Sequence, residues 1–408
     1  MRKIILLASL AALTGGIASA ATLPEDFPLE GTLHWGPFRV RPFLLLKDTG
    51  YDSNVFLEDS EPTSDFTSTG EAGIRMFSLF RDRGVIQIEE RLDYVWYAQN
   101  AELNHFNNAF ASRGAYYMRK GFLFAELSGL SFRERPSTEI DFRVRRNERV
   151  YGTGWRFTWP HSALQFRIGR DTFVYDSGTP GGDSIPLFLN RAEDRFTLTA
   201  SRKILPKTLF LVEGEGRRIG FYEPEGQIND SRSRRISAGF QFDPSAFIQG
   251  GLKVGIENLV PDEANRLGYD GLVGDANVVY RITGLTSLEG RWRRNVEFTT
   301  AVENVYYLDR AYGATLTQFL AERVAGELGI DREKVEYPVE TSAFDSNTGQ
   351  LVTGLRVDEF RSFFVGGWYR FSNLTRIGLR VGEWERNSTF EFLNRHRMTV
   401  AMTYSYNF

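Results

Sequence analysis

Residues 397–408 read RMTVAMTYSYNF and alternate polar with apolar side chains along their whole length. Successive side chains of a β-strand point to opposite faces, so this stretch has one apolar and one polar face. The apolar face consists of Met398, Val400, Met402, Tyr404, Tyr406 and Phe408. In a transmembrane β-barrel such a face meets lipid, while the polar face meets a wet interior. The segment therefore predicts a membrane-spanning strand.

The same unit recurs from about Pro37 to the end of the chain, with breaks that are alternately short and long. This alternation is typical of an up-and-down antiparallel outer-membrane barrel, whose long loops face outside. The pattern predicts an all-β transmembrane barrel of about eighteen strands, an even number as in other single-chain bacterial barrels. The predicted strands are residues 37–47, 66–80, 84–97, 105–119, 121–134, 146–159, 162–176, 191–203, 207–222, 231–243, 247–259, 268–282, 285–298, 301–320, 324–337, 355–371, 374–386 and 395–408.

Two places in this strand assignment leave alternatives open. Residues 316–328, LTQFLAERVAGEL, have a composition compatible with a helix. We interpret them as parts of two strands around a turn near Glu322, and a helix would reduce the count to about sixteen strands. In strand 84–97, Glu90 interrupts the outward apolar row, which indicates either a bulge or a different register.

The first twenty residues have the features of a secretory signal peptide. Arg2 and Lys3 precede an apolar stretch, and Ala18-Ser19-Ala20 supplies the small residues of a cleavage site. No later segment offers the ~20 apolar residues of a spanning helix. We therefore predict a signal peptide at residues 1–20, a short periplasmic segment at 21–36 and a barrel at 37–408, located in the bacterial outer membrane.

Composition excludes several classes of protein. The 408 residues include 49 Lys and Arg against 52 Asp and Glu, which argues against a nucleic-acid binder. The absence of cysteine excludes a thiol nucleophile, a disulfide framework and a cysteine-ligated metal. The four histidines form no HExxH or comparable metal spacing. We predict no enzyme, and hence no catalytic residues, no metal site and no cofactor.

A barrel of this size has more interior than its own side chains can fill, so we expect a water-filled lumen. Charged side chains on the inner face either solvate and cross-link the wall or form cationic patches that favour anionic solutes or acidic glycans. The candidate residues of the translocation path are Arg91, Arg167, Arg195, Arg235, Lys253, Arg281, Arg291, Arg293, Arg376, Arg380, Arg397, Glu89, Asp93, Glu257 and Asp275.

The segment after the first predicted strand reads Gly50-Tyr51-Asp52-Ser53-Asn54-Val55-Phe56. It resembles the opening signature of the putative β-barrel porin 2 family of outer-membrane barrels. Relatives in such families accompany exopolysaccharide or capsule assembly systems. The resemblance implies a conduit that works beside a periplasmic polysaccharide export protein and carries a glycan, and it brings no catalytic residues.

We therefore expect a monomeric or trimeric porin-like channel that serves as a passive conduit for polysaccharide export. The alternatives are a general diffusion porin for small polar solutes and a structural or adhesion barrel with a closed lumen. An open bore would favour export, and a loop folded into the lumen would favour small-solute diffusion. The expected partners also include outer-membrane lipid and the barrel assembly machinery, which would read the aromatic residues Tyr404, Tyr406 and Phe408.

Overall fold

The computed structural model describes residues 33–81, 83–135, 137–176, 184–345 and 348–407. The predicted signal peptide, most of the segment 21–36 and Phe408 lie outside the described residues. Within the described part of the chain, no helix is long and apolar enough to span a membrane.

Eighteen antiparallel strands form one sheet, which confirms the predicted fold class and strand count. The strands are β1 Phe38–Asp52, β2 Asp65–Phe80, β3 Gly84–Tyr97, β4 His105–Met118, β5 Gly121–Glu134, β6 Val144–Thr158, β7 Ser162–Tyr175, β8 Arg191–Leu205, β9 Thr208–Phe221, β10 Ser231–Phe242, β11 Ile248–Pro261, β12 Tyr269–Arg281, β13 Thr286–Phe298, β14 Tyr306–Ala321, β15 Val324–Glu336, β16 Val357–Arg370, β17 Thr375–Ser388 and β18 Arg395–Asn407.

The sheet closes on itself because β1 pairs with both its sequence neighbour and the last strand. Leu44 lies opposite Ala72 of β2 and Tyr406 of β18. The short strand Leu33–Trp35 adds to β1 as a hairpin, and Thr341–Asp345 pairs with Gln350–Gly354 in a separate hairpin. A closed barrel leaves no unpaired strand edge to face lipid, which is the condition for a β-sheet to cross a membrane.

The two faces of the wall differ as the sequence pattern predicts. Large apolar side chains point outward and stay exposed, among them Ile236 (71% exposed) and Leu379 (57%). The inner face carries most of the charged side chains, which form ion pairs between strands, as between Lys253 of β11 and Glu213 of β9 across the intervening β10. An apolar exterior around a charged interior is the arrangement of an outer-membrane barrel.

The structure decides both open points of the strand assignment. Residues 316–328 contain no helix; Leu316 of β14 lies directly opposite Leu328 of β15. The register of β3 and β4 continues through Glu90, which is opposite Phe110, so there is no bulge. Instead, Asn108 Nδ2 donates a hydrogen bond to Glu90 Oε1, and this gives the outward carboxylate a polar neighbour.

Two strand boundaries were predicted wrongly. The strand predicted at 301–320 begins at Tyr306, and residues 299–305 belong to a loop. The first strand continues to Asp52 instead of ending at residue 47. A bulge explains the second error: Asp48 adopts a φ of 52° and the register shifts between Leu46 and Thr49, which interrupts the sequence alternation.

Gly50 lies beside this bulge, where β1 closes against β18. A Cβ atom at Gly50 would overlap the carbonyl oxygen of Val400. Gly50→Ala is expected to reduce strongly the amount of heat-modifiable, assembled barrel in outer membranes, because the clash forces the two closing strands apart. Gly70→Ala is the matched control, since a Cβ there meets nothing within 4 Å. Equal assembly of both variants would contradict the tight closure.

Candidate functional site in the barrel lumen

In the connection between β5 and β6, the segment made of residue 135 and residues 137–143 folds into the lumen; we call this segment the crossing loop. Its residue Glu139 accepts hydrogen bonds from Thr299 Oγ1 at 2.6 Å and from Thr300 N at 3.1 Å. Thr299 and Thr300 belong to the connection between β13 and β14. That connection is eight strands away in the ring of eighteen, which is almost diametrically opposite. The crossing loop therefore spans the bore.

A buried ion pair fixes the crossing loop to a third part of the wall. Arg386 of β17 has a side chain that is 1% exposed, and its Nη2 lies 2.7 Å from Asp141 Oδ2. Arg395 of β18 approaches the same oxygen at 3.0 Å, and Arg386 Nη1 donates to the carbonyl of Thr138. Movement of the loop would leave the buried Arg386 guanidinium without its carboxylate, and an unpaired buried charge strongly destabilises the folded protein. This ion pair therefore resists displacement of the crossing loop.

Two arginines hold the ends of the crossing loop. Arg135 Nη2 and Arg143 Nη1 both donate to the carbonyl oxygen of Val55, at 2.8 and 2.7 Å. Burial, followed by the guanidinium groups of Arg143 and Arg397, lowers the pKa of Arg135 to about 9. Because this pKa lies above neutral, Arg135 is still cationic at pH 7. The loop ends therefore bring concentrated positive charge into the lumen.

Val55 belongs to the heptapeptide that carried the family resemblance, and the structure shows what this segment does. Asp52 accepts hydrogen bonds from Arg397 Nε at 2.9 Å and Nη2 at 2.7 Å, which ties β1 to β18. The buried Asn54 donates from Nδ2 to the carbonyls of His396 and Glu58. The segment thus closes the barrel and presents the Val55 carbonyl to the crossing loop.

Asn54→Ala is expected to lower the free energy of unfolding by about 2–4 kcal/mol, because it leaves buried hydrogen-bonding groups without a partner. These groups include the Glu58 N–H, which donates to Asn54 Oδ1 at 2.8 Å. Denaturant titration of the refolded barrel measures the change. Asn373→Ala, at an exposed asparagine in a short turn, is the control. A loss no larger than that of the control would show that Asn54 is not an anchor.

Apolar side chains pack the loops against the inner wall at the end where the crossing loop lies. Ile140 of that loop packs with Ile185 and Leu189 of a short helix, Ser184–Leu189. A second cluster consists of Tyr307, Val335, Tyr337 and Phe360, with Trp384 and Ala301 packed against it. Inward wall residues such as Val335, which is 1% exposed, are covered as a result. These packed side chains therefore narrow the lumen at the long-loop end.

Most of the predicted path residues lie on the inner face within ion pairs. The closest contacts are Asp93–Lys47 (3.2 Å), Arg91–Glu89 (3.5 Å), Arg167–Glu126 (2.5 Å), Arg195–Asp171 (3.1 Å), Arg235–Glu257 (2.5 Å), Lys253–Glu213 (2.8 Å), Arg291–Asp331 (2.7 Å), Arg293–Asp309 (2.7 Å), Arg380–Glu327 (2.6 Å) and Arg397–Asp52 (2.7 Å). Their charges are largely balanced along the wall.

Three predicted residues take other positions. The Arg376 guanidinium lies 4.7 Å from the centre of the Trp368 ring, in a cation–π contact. Asp275 is exposed and stands in register between Lys253 and Arg293 on the neighbouring strands. Arg281 lies opposite Ser287, beside the short turn that follows β12. These three are therefore not brought together with the crossing loop.

Sequence reasoning missed the residues that form the constriction. Glu139 and Asp141 lie in a segment that was treated only as a polar loop, and their partners are up to 245 residues away. Arginines at 133, 135, 143, 145 and 146 flank that segment. This density of positive charge around an outer loop is the one signal that could have drawn attention to it.

The comparisons with known proteins support the assignment of the fold as an outer-membrane barrel. The family model described as "Putative beta-barrel porin 2" matches residues 32–405. The chain belongs to this family. Members of a porin family are outer-membrane barrels and typically non-enzymatic, so this barrel is a porin-like protein of the bacterial outer membrane. Among curated proteins, none matches the chain.

Solved outer-membrane proteins resemble this porin-family barrel only distantly. The outer membrane protein opdK from Pseudomonas aeruginosa is 10% identical, with 90% of this chain and 99% of that chain covered and a TM-score of 0.49. The siderophore receptor PirA from the same organism is 8% identical, with 90% and 80% covered and a TM-score of 0.47. A bacterial polysaccharide outer membrane secretin is 8% identical, with 90% and 98% covered and a TM-score of 0.35.

Proposed function

We propose that this porin-family barrel is a passive diffusion channel for small polar solutes, with a preference for anions. The observation that carries the proposal is the crossing loop, whose Glu139 binds Thr299 and Thr300 almost diametrically across the bore. A loop that crosses a barrel divides its cross-section, and the remaining space sets the size of the solutes that pass. Such a geometry suits monosaccharide-sized solutes better than a polymer chain.

The preference for anions rests on the charge that accompanies the crossing loop. Along the wall, cations such as Arg293 lie against carboxylates. In contrast, Arg135 donates to two backbone carbonyl groups, those of Val55 and Asp141. A ring of charged side chains at the narrowest point of a pore selects ions of opposite charge. Positive charge that is bonded to neutral carbonyls is therefore the feature that would attract anions.

Export of a polysaccharide, which the family resemblance implies, would need the crossing loop to leave the lumen. The Asp141–Arg386 pair and the two hydrogen bonds to Glu139 oppose that movement. Polysaccharide export is therefore the second candidate function. It would require a partner, such as a periplasmic export protein, that displaces the loop.

Liposome swelling tests the proposed function. Proteoliposomes with the refolded barrel are expected to swell faster in glucuronate than in glucose, and to show no measurable swelling in a seven-residue maltodextrin. Protein-free liposomes set the baseline. Equal swelling rates for all three solutes would indicate a wide bore and favour export. Absence of both swelling and ion conductance would leave a structural or adhesion role.

A further inference from the structure

Four arginines form a patch on the outer, lipid-facing surface of the barrel; we call it the outer arginine patch. Its members are Arg170, Arg218, Arg232 and Arg234. The register places Arg170, Asp194, Arg218 and Arg232 side by side on the successive strands β7 to β10. The patch is open to the surroundings, since the Arg232 side chain is 69% exposed.

The positive charge of the patch exceeds the negative charge around it. Asp194 lies 3.6 Å from Arg170, and Asp262 lies 3.4 Å from Arg232. Within the described part of the chain, Arg218 and Arg234 have no carboxylate within ion-pair distance. An arginine on the lipid face of a barrel costs free energy that grows with depth, unless a counter-charge accompanies it.

The opposite side of the outer surface is built differently. There, Arg310 and Lys334 both contact Glu336 at 2.8 Å, and Arg361 lies 3.8 Å from Glu359. Three outward cations on that side are thus matched with carboxylates, whereas the exposed Arg332 of β15 has none at ion-pair distance in the described part of the chain. On β7 to β10, two outward arginines without a carboxylate at ion-pair distance lie close together, since Arg218 and Arg234 stand on adjacent strands two positions out of register. This local concentration of positive charge indicates an anionic partner.

The surface beneath the patch provides space for an apolar chain. Gly214 and Gly216 of β9 point outward, and a Cβ at either position would meet nothing within 4 Å. Phe196 and Ile236 on the adjacent strands flank these glycines and are 46% and 71% exposed. Phe196 and Gly216, together with the four arginines, border a depression of about 890 Å³.

The height of the patch matches the membrane surface. β9 starts at Thr208, beside a short turn, and Arg218 is ten residues further along the strand. At ~3.3 Å per residue and a tilt of ~40°, this distance is roughly 25 Å along the membrane normal. The apolar band of such barrels is ~25 Å tall, so Arg218 lies where the head groups of the outer leaflet begin.

We propose that the outer arginine patch binds a phosphorylated, acylated lipid of the outer leaflet. Its phosphate groups would accept hydrogen bonds from Arg218, Arg232 and Arg234, since guanidinium groups bind phosphate in a two-pronged, charge-assisted manner. One acyl chain would lie over Gly214 and Gly216. This inference is independent of the solute that passes through the lumen.

The experiment uses the full-length barrel, delipidated in detergent, with lipid A as the probe and native mass spectrometry as the readout. The triple variant R218Q/R232Q/R234Q is expected to bind bisphosphorylated lipid A at least about tenfold more weakly than the unchanged protein. The control variant R310Q/R332Q/R361Q carries the same change on the opposite side and should bind as the unchanged protein does. The unchanged protein should also bind bisphosphorylated lipid A more tightly than the monophosphorylated form.

A second variant tests the depression without altering charge. Gly216→Val fits the free space, so it is expected to leave the fold intact and to weaken lipid A binding several-fold. Equal binding by the two triple variants would overturn the proposal, as would equal affinity for the two forms of lipid A. A dimer or trimer that Gly216→Val dissociates, with no bound lipid, would identify a second copy of this chain as the occupant and would also overturn it.

Discussion

Replacement of residues 137–142 by a Gly-Ser linker of equal length is expected to raise the single-channel conductance several-fold. The linker removes Glu139 and Asp141, which hold the crossing loop to Thr299 and Arg386. Once released, the segment no longer divides the bore, and a barrel of eighteen strands without an inward loop encloses a wide aqueous channel. Planar-bilayer recordings measure the conductance, and the same variant should let the seven-residue maltodextrin enter liposomes.

A second long loop supplies the control. The tip of the hairpin formed by Thr341–Asp345 and Gln350–Gly354 can be replaced by an equal Gly-Ser linker. The two strands of this hairpin pair with each other, and Asn304 reaches the hairpin at Thr341, at its base. Replacement of the tip should therefore leave the conductance unchanged. An unchanged conductance after replacement of the crossing loop, in a variant that remains heat-modifiable, would mean that the crossing loop does not limit the channel.

Substitution of Arg135 and Arg143 by glutamine is expected to abolish most of the anion preference. Both side chains bind the Val55 carbonyl beside the bore, and glutamine keeps a hydrogen-bond donor while it removes the charge. Loss of two positive charges at the narrowest point lowers the local concentration of anions. In a potassium chloride gradient, the reversal potential should move from the anion-selective side towards zero.

Two further variants separate charge from loop position. R291Q/R293Q removes two wall arginines that lie against Asp331 and Asp309, and it should shift the reversal potential less. E139Q/D141N loosens the crossing loop and removes negative charge, so it should raise conductance without loss of anion preference. A larger shift from the wall variant than from R135Q/R143Q would place the selectivity on the wall and contradict the account.

The fold could be predicted from the sequence because apolar and polar side chains alternate along a barrel strand, and this alternation shows which residues face lipid and which face the lumen. Strand β18 is the clearest example, since each residue meets either lipid or the lumen. The errors occurred where geometry interrupts that alternation. The bulge at Asp48 hid the end of β1, and in the loop 299–305 Ala301 and Val305 pack beneath loops rather than forming a lipid face.

The constriction could not be predicted in the same way. A lumen wall is defined by local periodicity, whereas the position of the crossing loop depends on contacts such as Glu139 with Thr299, 160 residues apart. Polar side chains in a loop are equally compatible with solvent and with an opposite wall. The heptapeptide shows the same limit: its Asn54 and Val55 were visible as a motif, but their partners, His396 and Arg135, lie in distant segments.

Cross-linking of the crossing loop to the opposite wall tests the central claim most directly. The chain contains no cysteine, so the variant E139C/T299C introduces the only two thiols. A short bifunctional thiol reagent, applied to isolated outer membranes, is expected to join these positions, and mass spectrometry of tryptic peptides should detect the link. The control E139C/E225C carries its second thiol at the exposed Glu225 and should give no link. A link in the control but none in E139C/T299C would show that the loop stands outside the lumen.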